Sequence, residues 1–376
     1  TVPASTPVYE AWRTLLDARV NHLPVERDGE IVGVLTSTDL LRLSAQGPVA
    51  ILRRLERLAS RDALPDYAGQ VAEMSAALLA AGLDAGVIAG FASQLSAVLV
   101  RRLLHLAEAE LGRAPAPYAW LVFGSEGRRE QTLPTDQDNA LVYADEGAAH
   151  ADYYRALARR VNADLEAAGF PPCPADRMAR TWQAPRSEWT RQMEQRLLMK
   201  PWEAGLHLDM RRVAGGLELE PAREALAFAR RDRLFARALA KHALALRTPS
   251  LLVLRMRGSA RLDPKRHALV PIVALARSAA IEAGCAETGT LARLEAARRA
   301  GVLSDDAHAA VAEAFRFLLR LRLEVQLRAF HAGAAAPNDV ALAELSGIQR
   351  SRLKDALRAI DAWQETSAQR FGARGP

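Results

Sequence analysis

Two aspartates separated by a single residue, Asp136 and Asp138, are the side chains in this sequence best suited to chemistry. On an extended chain, residues i and i+2 face the same side, so these carboxylates lie close enough to share a divalent cation. Two such neighbouring negative charges repel each other unless a metal ion or a proton neutralises them. The pair therefore predicts a divalent metal site.

A phosphate-binding turn is predicted just before this pair. The apolar run over residues 118–123 predicts a buried strand, which ends at Gly124 and Ser125. Glycine lets the backbone approach a phosphate, and a serine hydroxyl with neighbouring N–H groups can hold a terminal phosphate. A strand, a Gly-Ser turn and an Asp-x-Asp pair form the arrangement that nucleotidyl transfer needs, in which Mg²⁺ bridges triphosphate oxygens and carboxylates.

A third carboxylate usually completes such a site, and Asp209 is the candidate. The alternation of residues over 206–213 predicts a strand with His207, Asp209 and Arg211 on its polar face. The alternative is that Asp209 only pairs with Arg211 or Arg212 at a solvent-exposed face. The ordered set of a strand, a Gly-Ser turn, an acidic pair and a later acid favours the catalytic interpretation.

The stretch LVFGSEGRREQTLPTDQDNALVY at residues 121–143 resembles the polymerase-β-type nucleotidyltransferase superfamily. It is most similar to a nucleotidyltransferase family of unknown substrate, related to the uridylyltransferase of signal protein PII, that carries CBS domains in front. The resemblance continues through residues 206–213 and the helical tail, so it covers nearly the whole chain. It implies transfer of a nucleoside monophosphate from an NTP to a protein or small-molecule acceptor, with Mg²⁺ (or Mn²⁺) as cofactor.

The resemblance also assigns roles to individual residues. It implies that Arg128 contacts phosphate and that Glu130 braces the loop, whereas the alternative for Arg128 is an ordinary surface arginine. A second class of function stays open, namely a nucleotide-binding regulatory module with a catalytically silent transferase fold, although the presence of all three acids favours an enzyme. The implied NTP-binding residues are Gly124, Ser125, Gly127, Arg128 and Glu130, and the implied catalytic and metal-binding residues are Asp136, Asp138 and Asp209.

Residues 1–46 resemble one CBS unit, a small α-β-β-α module. Asp28 and Gly29, between two apolar runs, predict a β-hairpin because glycine tolerates the positive φ of a tight turn. The resemblance implies that Thr36 and Asp39 face the phosphate and ribose of an adenine nucleotide. So small a unit needs another surface to complete its core, and CBS units work in pairs. That surface is either the helices predicted over residues 48–112 of the same chain or the same unit of a second chain. We expect the second, a homodimer, with regulation by N-terminal ligand-sensing domains.

Hydrophobic periodicity outlines the scaffold that must position these residues. Pro115 and Pro117 cannot continue a helix and mark a boundary, after which short strands, the second over residues 139–143, precede a long helical region. Within that region Ser304 is a predicted helix cap. The predicted fold is α+β and helix-rich, with a small mixed sheet. The predicted domains are a partial CBS unit at 1–46, a helical connector at 47–113, a nucleotidyltransferase domain at 114–245 and a C-terminal helical bundle at 246–376.

Composition excludes several classes of protein. Among 376 residues, 50% are apolar and 25% charged, close to globular averages, so the chain is not a disordered one. The net charge of +6 comes from arginines spread among acids, which does not favour nucleic acid as a partner. The absence of an uninterrupted apolar run of about 18 residues predicts no membrane span. Two distant cysteines, Cys173 and Cys285, predict a cytoplasmic location.

Overall fold

The computed structural model describes residues 1–18, 20–36, 47–199, 203, 205–231, 233–249, 261–334 and 339–370. The chain divides into two compact units, Thr1–Ala59 and Ser60–Pro376. Helices make up most of the described residues, and the strands form three small sheets. The helix-rich α+β fold predicted from the sequence is therefore confirmed.

The N-terminal unit consists of β1 (Val2–Pro3), α1 (Val8–Asp17), β2 (His22–Arg27), β3 (Glu30–Thr36) and α2 (Pro48–Glu56). Strand β2 pairs in parallel with β1 and antiparallel with β3. Asp28 and Gly29, with φ of 53° and 85°, form the turn between β2 and β3, which confirms the predicted hairpin. Thr36 is the last residue of β3 and is partly exposed, whereas Asp39 lies outside the described residues.

The first part of the second unit consists of α3 (Tyr67–Ala80), α4 (Ala85–Leu111), β4 (Tyr118–Val122), α5 (Gly124–Gly127), β5 (Asn139–Tyr143), α6 (Ala151–Ala167), β6 (Gln183–Pro185), α7 (Arg186–Met199) and β7 (Arg211–Ala214). The sheet order is β6-β5-β4-β7, with β4 antiparallel to both neighbours and β5 parallel to β6. Strands β4 and β5 are buried throughout and, apart from Asn139 at the start of β5, apolar in sequence, so both were predicted. The three-residue β6 was missed because it is too short for a pattern.

Helix α4 is 27 residues long and apolar enough to cross a membrane by length and composition. Within the protein, however, 72% of its most apolar window is buried. It packs against α6, and Ile88, Leu95, Leu99 and Leu103 are 0% exposed. This burial accounts for the apolar composition of α4, because a helix covered on most sides becomes apolar on most sides.

The second part of this unit consists of α8 (Pro221–Arg231), α9 (Arg233–Ala245), β8 (Arg261–Leu262), a π-helical turn (Lys265–Leu269), α10 (Val270–Ala283), α11 (Thr290–Arg299), α12 (Asp305–His331), β9 (Val340–Ala341) and α13 (Gly347–Arg370). Ile272, Leu318 and Leu353, all 0% exposed, join α10, α12 and α13 in one core. Ser304 caps α12 by accepting a hydrogen bond from the Ala307 N–H at 3.3 Å. The predicted helical bundle and this cap are confirmed.

The prediction of a strand over residues 206–213 is wrong for the first half of that segment. His207–Asp209 form a 3₁₀ turn, and β7 begins only at Arg211. The turn packs directly on α5, where a Cβ at Gly127 would lie 2.0 Å from the Asp209 carbonyl oxygen. Because His207 and Asp209 are 1% and 0% exposed, the alternation of polar and apolar residues does not correspond to exposed and buried faces.

Candidate functional site

A glycine turn leads from β4 into the candidate site. Phe123 ends the strand in an extended conformation, and Gly124 has a φ of +62°, which residues with a side chain rarely adopt. A Cβ at Gly124 would also lie 2.8 Å from Oδ2 of Asp138. The Phe123 N–H donates to the Asp138 carbonyl oxygen at 3.1 Å. The turn formed by Gly124 and Ser125 therefore lies directly beside the second aspartate of the pair.

Asp136, Asp138 and Cys173 form a cluster in which ligand atoms of all three lie within 4.8 Å of one another. The Cys173 thiol donates to Oδ1 of Asp138 at 3.4 Å. Burial, together with the charge of Asp136, raises the pKa of Asp138 to about 6. The two carboxylates are thus crowded and partly dehydrated, and either a cation or a proton would stabilise them.

The donor set of this cluster fits a hard divalent cation. Carboxylate oxygens are the ligands that Mg²⁺ and Mn²⁺ take in proteins. Burial raises the pKa of the Cys173 thiol, so it remains protonated and serves as a hydrogen-bond donor. Asp136 and Asp138 are therefore the residues that could hold the metal ion.

A buried amide network supports the backbone of the acidic pair. Gln137, which separates the two aspartates, donates to the carbonyl oxygens of Asn162 at 3.0 Å and Phe170 at 2.9 Å. The Asn162 amide donates to Oε1 of Gln137 at 2.8 Å and to Oδ1 of Asn139 at 2.9 Å. Because the members of this network satisfy one another's hydrogen bonds, it holds the loop before β5 in one conformation.

A second cluster centres on the fully buried Asp209. Its carboxylate accepts hydrogen bonds from Arg128 at 2.5 Å, Arg293 at 2.7 Å and Arg277 at 3.1 Å. Burial alone would raise the pKa of Asp209, but the three guanidinium charges outweigh it and hold the pKa well below its usual range. Because Arg277 lies on α10 and Arg293 on α11, the cluster ties the 3₁₀ turn to the C-terminal helices.

Glu130 joins this cluster through Arg128. The Arg128 Nε donates to one Glu130 oxygen at 2.7 Å, and the other oxygen accepts from the Thr290 backbone N–H at 2.6 Å. The side chain of Arg128 is only 11% exposed, so the alternative of a surface arginine is wrong. Glu130 links the loop after α5 to the first residue of α11, and such a link would brace the loop.

Three family models match the chain. The model described as "Putative nucleotidyltransferase DUF294" matches residues 69–203, and that described as "Putative nucleotidyltransferase substrate binding domain" matches residues 233–371. The chain belongs to this nucleotidyltransferase family. A CBS-domain model matches residues 1–46, as the sequence predicted. No curated relative shows significant similarity to the chain.

The predicted site residues of the chain fall into two groups. The group at the end of β4 comprises Gly124, Ser125, Asp136 and Asp138. The group in the ion cluster comprises Gly127, Arg128, Glu130 and Asp209. In the part of the chain that the structure describes, Asp209 is not among the ligand groups gathered with the acidic pair.

Sequence reasoning missed three residues that contact the acidic pair or act on it electrostatically. Cys173 comes from the loop after α6, Lys265 from the π-helical turn and Arg322 from α12. The charge of Asp136 acts on both Lys265 and Arg322, so both cations are within electrostatic range of the pair. No spacing relates any of the three to the motif, because tertiary packing alone brings them there.

The raised pKa of Asp138 predicts how metal binding depends on pH. Without metal, this carboxyl holds its proton better in the folded protein than in the unfolded chain. Its contribution to stability therefore falls as pH rises from about 4 to about 6. A metal ion competes with that proton, so we expect the Mg²⁺- or Mn²⁺-induced rise in melting temperature to be small at pH 5 and full at pH 7.5.

Thermal unfolding at fixed metal concentration over a pH series measures this effect. In Asp136→Asn the negative charge that helps to raise the Asp138 pKa is removed, so the midpoint of any remaining metal effect should move to lower pH. An equal metal effect at pH 5 and pH 7.5 in the unchanged protein would contradict the prediction.

Proposed function

We propose that this protein transfers a nucleoside monophosphate from an NTP to a hydroxyl group of a protein or small-molecule acceptor, with Mg²⁺ or Mn²⁺ as cofactor. The observation that carries the proposal is the Asp136–Asp138 pair packed against the Gly124 turn. The family match over residues 69–203 supports nucleotidyl transfer, and the two carboxylates support a hard divalent metal.

The proposed reaction is a single displacement at phosphorus. The acceptor oxygen forms a bond to the α-phosphorus, and the bond from that phosphorus to the oxygen bridging to the β-phosphate breaks. Pyrophosphate leaves with the electron pair, and the hydroxyl proton of the acceptor passes to water. A bound Mg²⁺ would neutralise triphosphate charge and make the acceptor oxygen more nucleophilic.

The residues of the chain would bind and orient the reactants. Asp136 and Asp138 would fix the cation, while the Gly124 backbone and the Ser125 hydroxyl would hold a phosphate oxygen. Since the chemistry consists mainly of positioning and charge neutralisation, the rigid amide network around Gln137 would contribute by keeping the carboxylates in place.

For Asp209 we propose a positioning role in place of metal ligation. Its two oxygens already accept hydrogen bonds from three guanidinium groups, which leaves little capacity for a metal ion. Through Arg128 and Glu130 the same carboxylate is connected to the loop that carries the acidic pair. Asp209 would thus act on the reaction by holding this loop against the C-terminal helices.

Pyrophosphate release tests the proposed function directly. The full chain is incubated with Mg²⁺ and each NTP in turn, with fractionated cell lysate as the source of acceptor. We expect release with at least one NTP that depends on both metal and lysate. Tight NTP binding without release in any fraction would instead favour a nucleotide-binding regulatory module.

The N-terminal CBS unit leads to a prediction about assembly. Ile31, Val32 and Val34 on β3 are 56%, 52% and 52% exposed, and exposed apolar strands tend to pair with another surface. Because a single CBS unit is matched, we propose that the same unit of a second chain covers this strand and that the protein is a homodimer.

Light scattering after gel filtration measures this assembly. The unchanged chain should have the mass of a dimer, and the double variant Ile31→Asp/Val34→Asp should have the mass of a monomer. Val20→Asp is the matched control, since Val20 is 43% exposed but lies outside the strands. A monomeric mass for the unchanged chain would refute the homodimer.

Two further observations bear on the cellular location and the regulation of the protein. Both cysteines, Cys173 and Cys285, are free thiols, which supports a location in the reducing cytoplasm. The CBS match supports regulation through the N-terminal unit, where Thr36 would be one nucleotide contact.

A further inference from the structure

Arg322 on α12 is a buried cation that forms no ion pair with any residue the structure describes. It is 5% exposed, and its Nε makes no hydrogen bond. No carboxylate in the described part of the chain forms an ion pair with it. A buried charge is costly unless an opposite charge and hydrogen bonds compensate it. Arg322 therefore has unused capacity to bind an anion.

The surroundings of Arg322 identify where that anion would lie. Burial lowers its pKa, while the charges of Asp263 and Asp136 act in the opposite direction. The charge of Asp136, the first aspartate of the acidic pair, is thus one of the charges that act on Arg322. Its guanidinium therefore lies within electrostatic range of the candidate metal site.

Lys265 gives a second cation at the same place. It lies in the π-helical turn before α10, where its backbone carbonyl accepts a hydrogen bond from the Val270 N–H, and within the described ranges its ammonium group forms no ion pair. Burial and the nearby Arg322 lower its pKa, and the charges of Asp136 and Asp138 oppose this effect. Two cations from separate C-terminal elements are therefore within electrostatic range of the acidic pair.

The contacts between the motif loop and α12 hold this arrangement together. Thr132 in the loop hydrogen-bonds to Gln326, one helical turn after Arg322 on α12. The next loop residue, Leu133, belongs to the hydrophobic core of the C-terminal helices. Because the loop that ends in Asp136 rests on α12, the distance between the cations and the carboxylates is set by packing.

We propose that Lys265 and Arg322 bind the β- and γ-phosphates of the NTP, so that the C-terminal helices complete the triphosphate site. This inference rests on the proposed function, since it assigns the leaving group of that reaction a binding site. A guanidinium can bind phosphate oxygens through two parallel hydrogen bonds, and an ammonium adds a compact positive charge. Both would stabilise the negative charge that develops on the departing pyrophosphate.

Calorimetric titration with inorganic triphosphate in the presence of Mg²⁺ tests the proposal without requiring an acceptor. Arg322→Gln should weaken binding at least about tenfold, as expected for loss of a charged hydrogen bond, and Lys265→Met should weaken it severalfold. Arg320→Gln is the matched control, because Arg320 lies on the same helix, is 46% exposed and pairs with Glu324. It should bind within twofold of the unchanged protein.

Thermal unfolding distinguishes ligand binding from a structural role of Arg322. Removal of an unpartnered buried charge should leave the melting temperature of the free protein unchanged or higher, while the rise induced by triphosphate is lost. A large fall in the melting temperature of free Arg322→Gln would show that Arg322 has a structural partner, and would overturn the proposal for this residue.

The two proposals can fail separately. If Arg322→Gln and Lys265→Met both bind triphosphate like the unchanged protein while pyrophosphate release is observed, this inference is overturned and the proposed function stands. If both variants lose triphosphate binding although no NTP is ever turned over, the phosphate site is supported and nucleotidyl transfer is rejected.

Discussion

Replacement of Asp136 or Asp138 with asparagine is expected to lower the rate of pyrophosphate release about 1,000-fold or more. Each substitution removes a charged ligand of the proposed metal ion, and metal stabilisation of transferring phosphoryl charge is worth several kcal/mol. The same variants should lose the rise in melting temperature caused by Mg²⁺ with NTP. Single-turnover release and thermal unfolding measure the two effects.

The stability of the metal-free variants separates this explanation from simple unfolding. Burial and the charge of Asp136 disfavour the ionised form of the Asp138 carboxyl. At pH 7.5 and without metal, Asp138→Asn should therefore melt at the same temperature as the unchanged protein or at a higher one. Asp152→Asn is the control, since Asp152 is 94% exposed and pairs only with Arg155 among described residues. Full release by both Asp136→Asn and Asp138→Asn would reject the site.

Asp209→Asn is expected to destabilise the protein by about 3–5 kcal/mol, the cost of removing one member of a buried ion cluster. The substitution leaves Arg128, Arg277 and Arg293 around a neutral amide, so their mutual repulsion is no longer balanced. Because the folded pKa of Asp209 is depressed, its stabilisation is present above the ordinary pKa of 3.8 and is lost only as pH falls below it. Denaturant unfolding at pH 7 measures the change.

This result would differ from that expected of a metal ligand. If Asp209 served mainly as a third metal-binding acid, its loss would abolish turnover but would not weaken the metal-free protein. Glu295→Gln is a suitable control, because Glu295 forms its ion pairs with Arg298 and Arg299 at the surface, where such pairs contribute little. An Asp209→Asn protein with unchanged stability and no turnover would instead indicate that Asp209 is a metal ligand.

Local patterns account for what could be predicted from the sequence. Strand β5 begins at Asn139, directly after the acidic pair, because a short apolar run bounded by polar residues specifies a buried strand. The turn at Gly29 and the cap at Ser304 depend on backbone geometry within a few residues. Each of these features can be inferred without knowledge of the rest of the chain.

The same local reasoning failed at residues 206–210. Alternation there imitates a strand, yet the backbone forms a 3₁₀ turn that packs on Gly127 and directs Asp209 inward. Polar residues in an alternating pattern are expected to face solvent, but here an acid is stabilised inside by cations from other helices. The pattern alone cannot distinguish a solvent-exposed acid from a buried one, because it does not show which cations of other helices will lie beside that acid.

The sequence by itself determined the acidic pair, the Gly-Ser turn beside it, the helix-rich α+β fold and the membership of the family. Only the tertiary structure decided which charges surround them: Asp209 meets Arg128, Arg277 and Arg293 at sequence separations of 81, 68 and 84 residues. Lys265 and Arg322 likewise come within electrostatic range of the acidic pair only through the packing of α12 against the motif loop. Periodicity and turn chemistry act over a few residues, whereas the pairing of buried charges depends on which helices pack together.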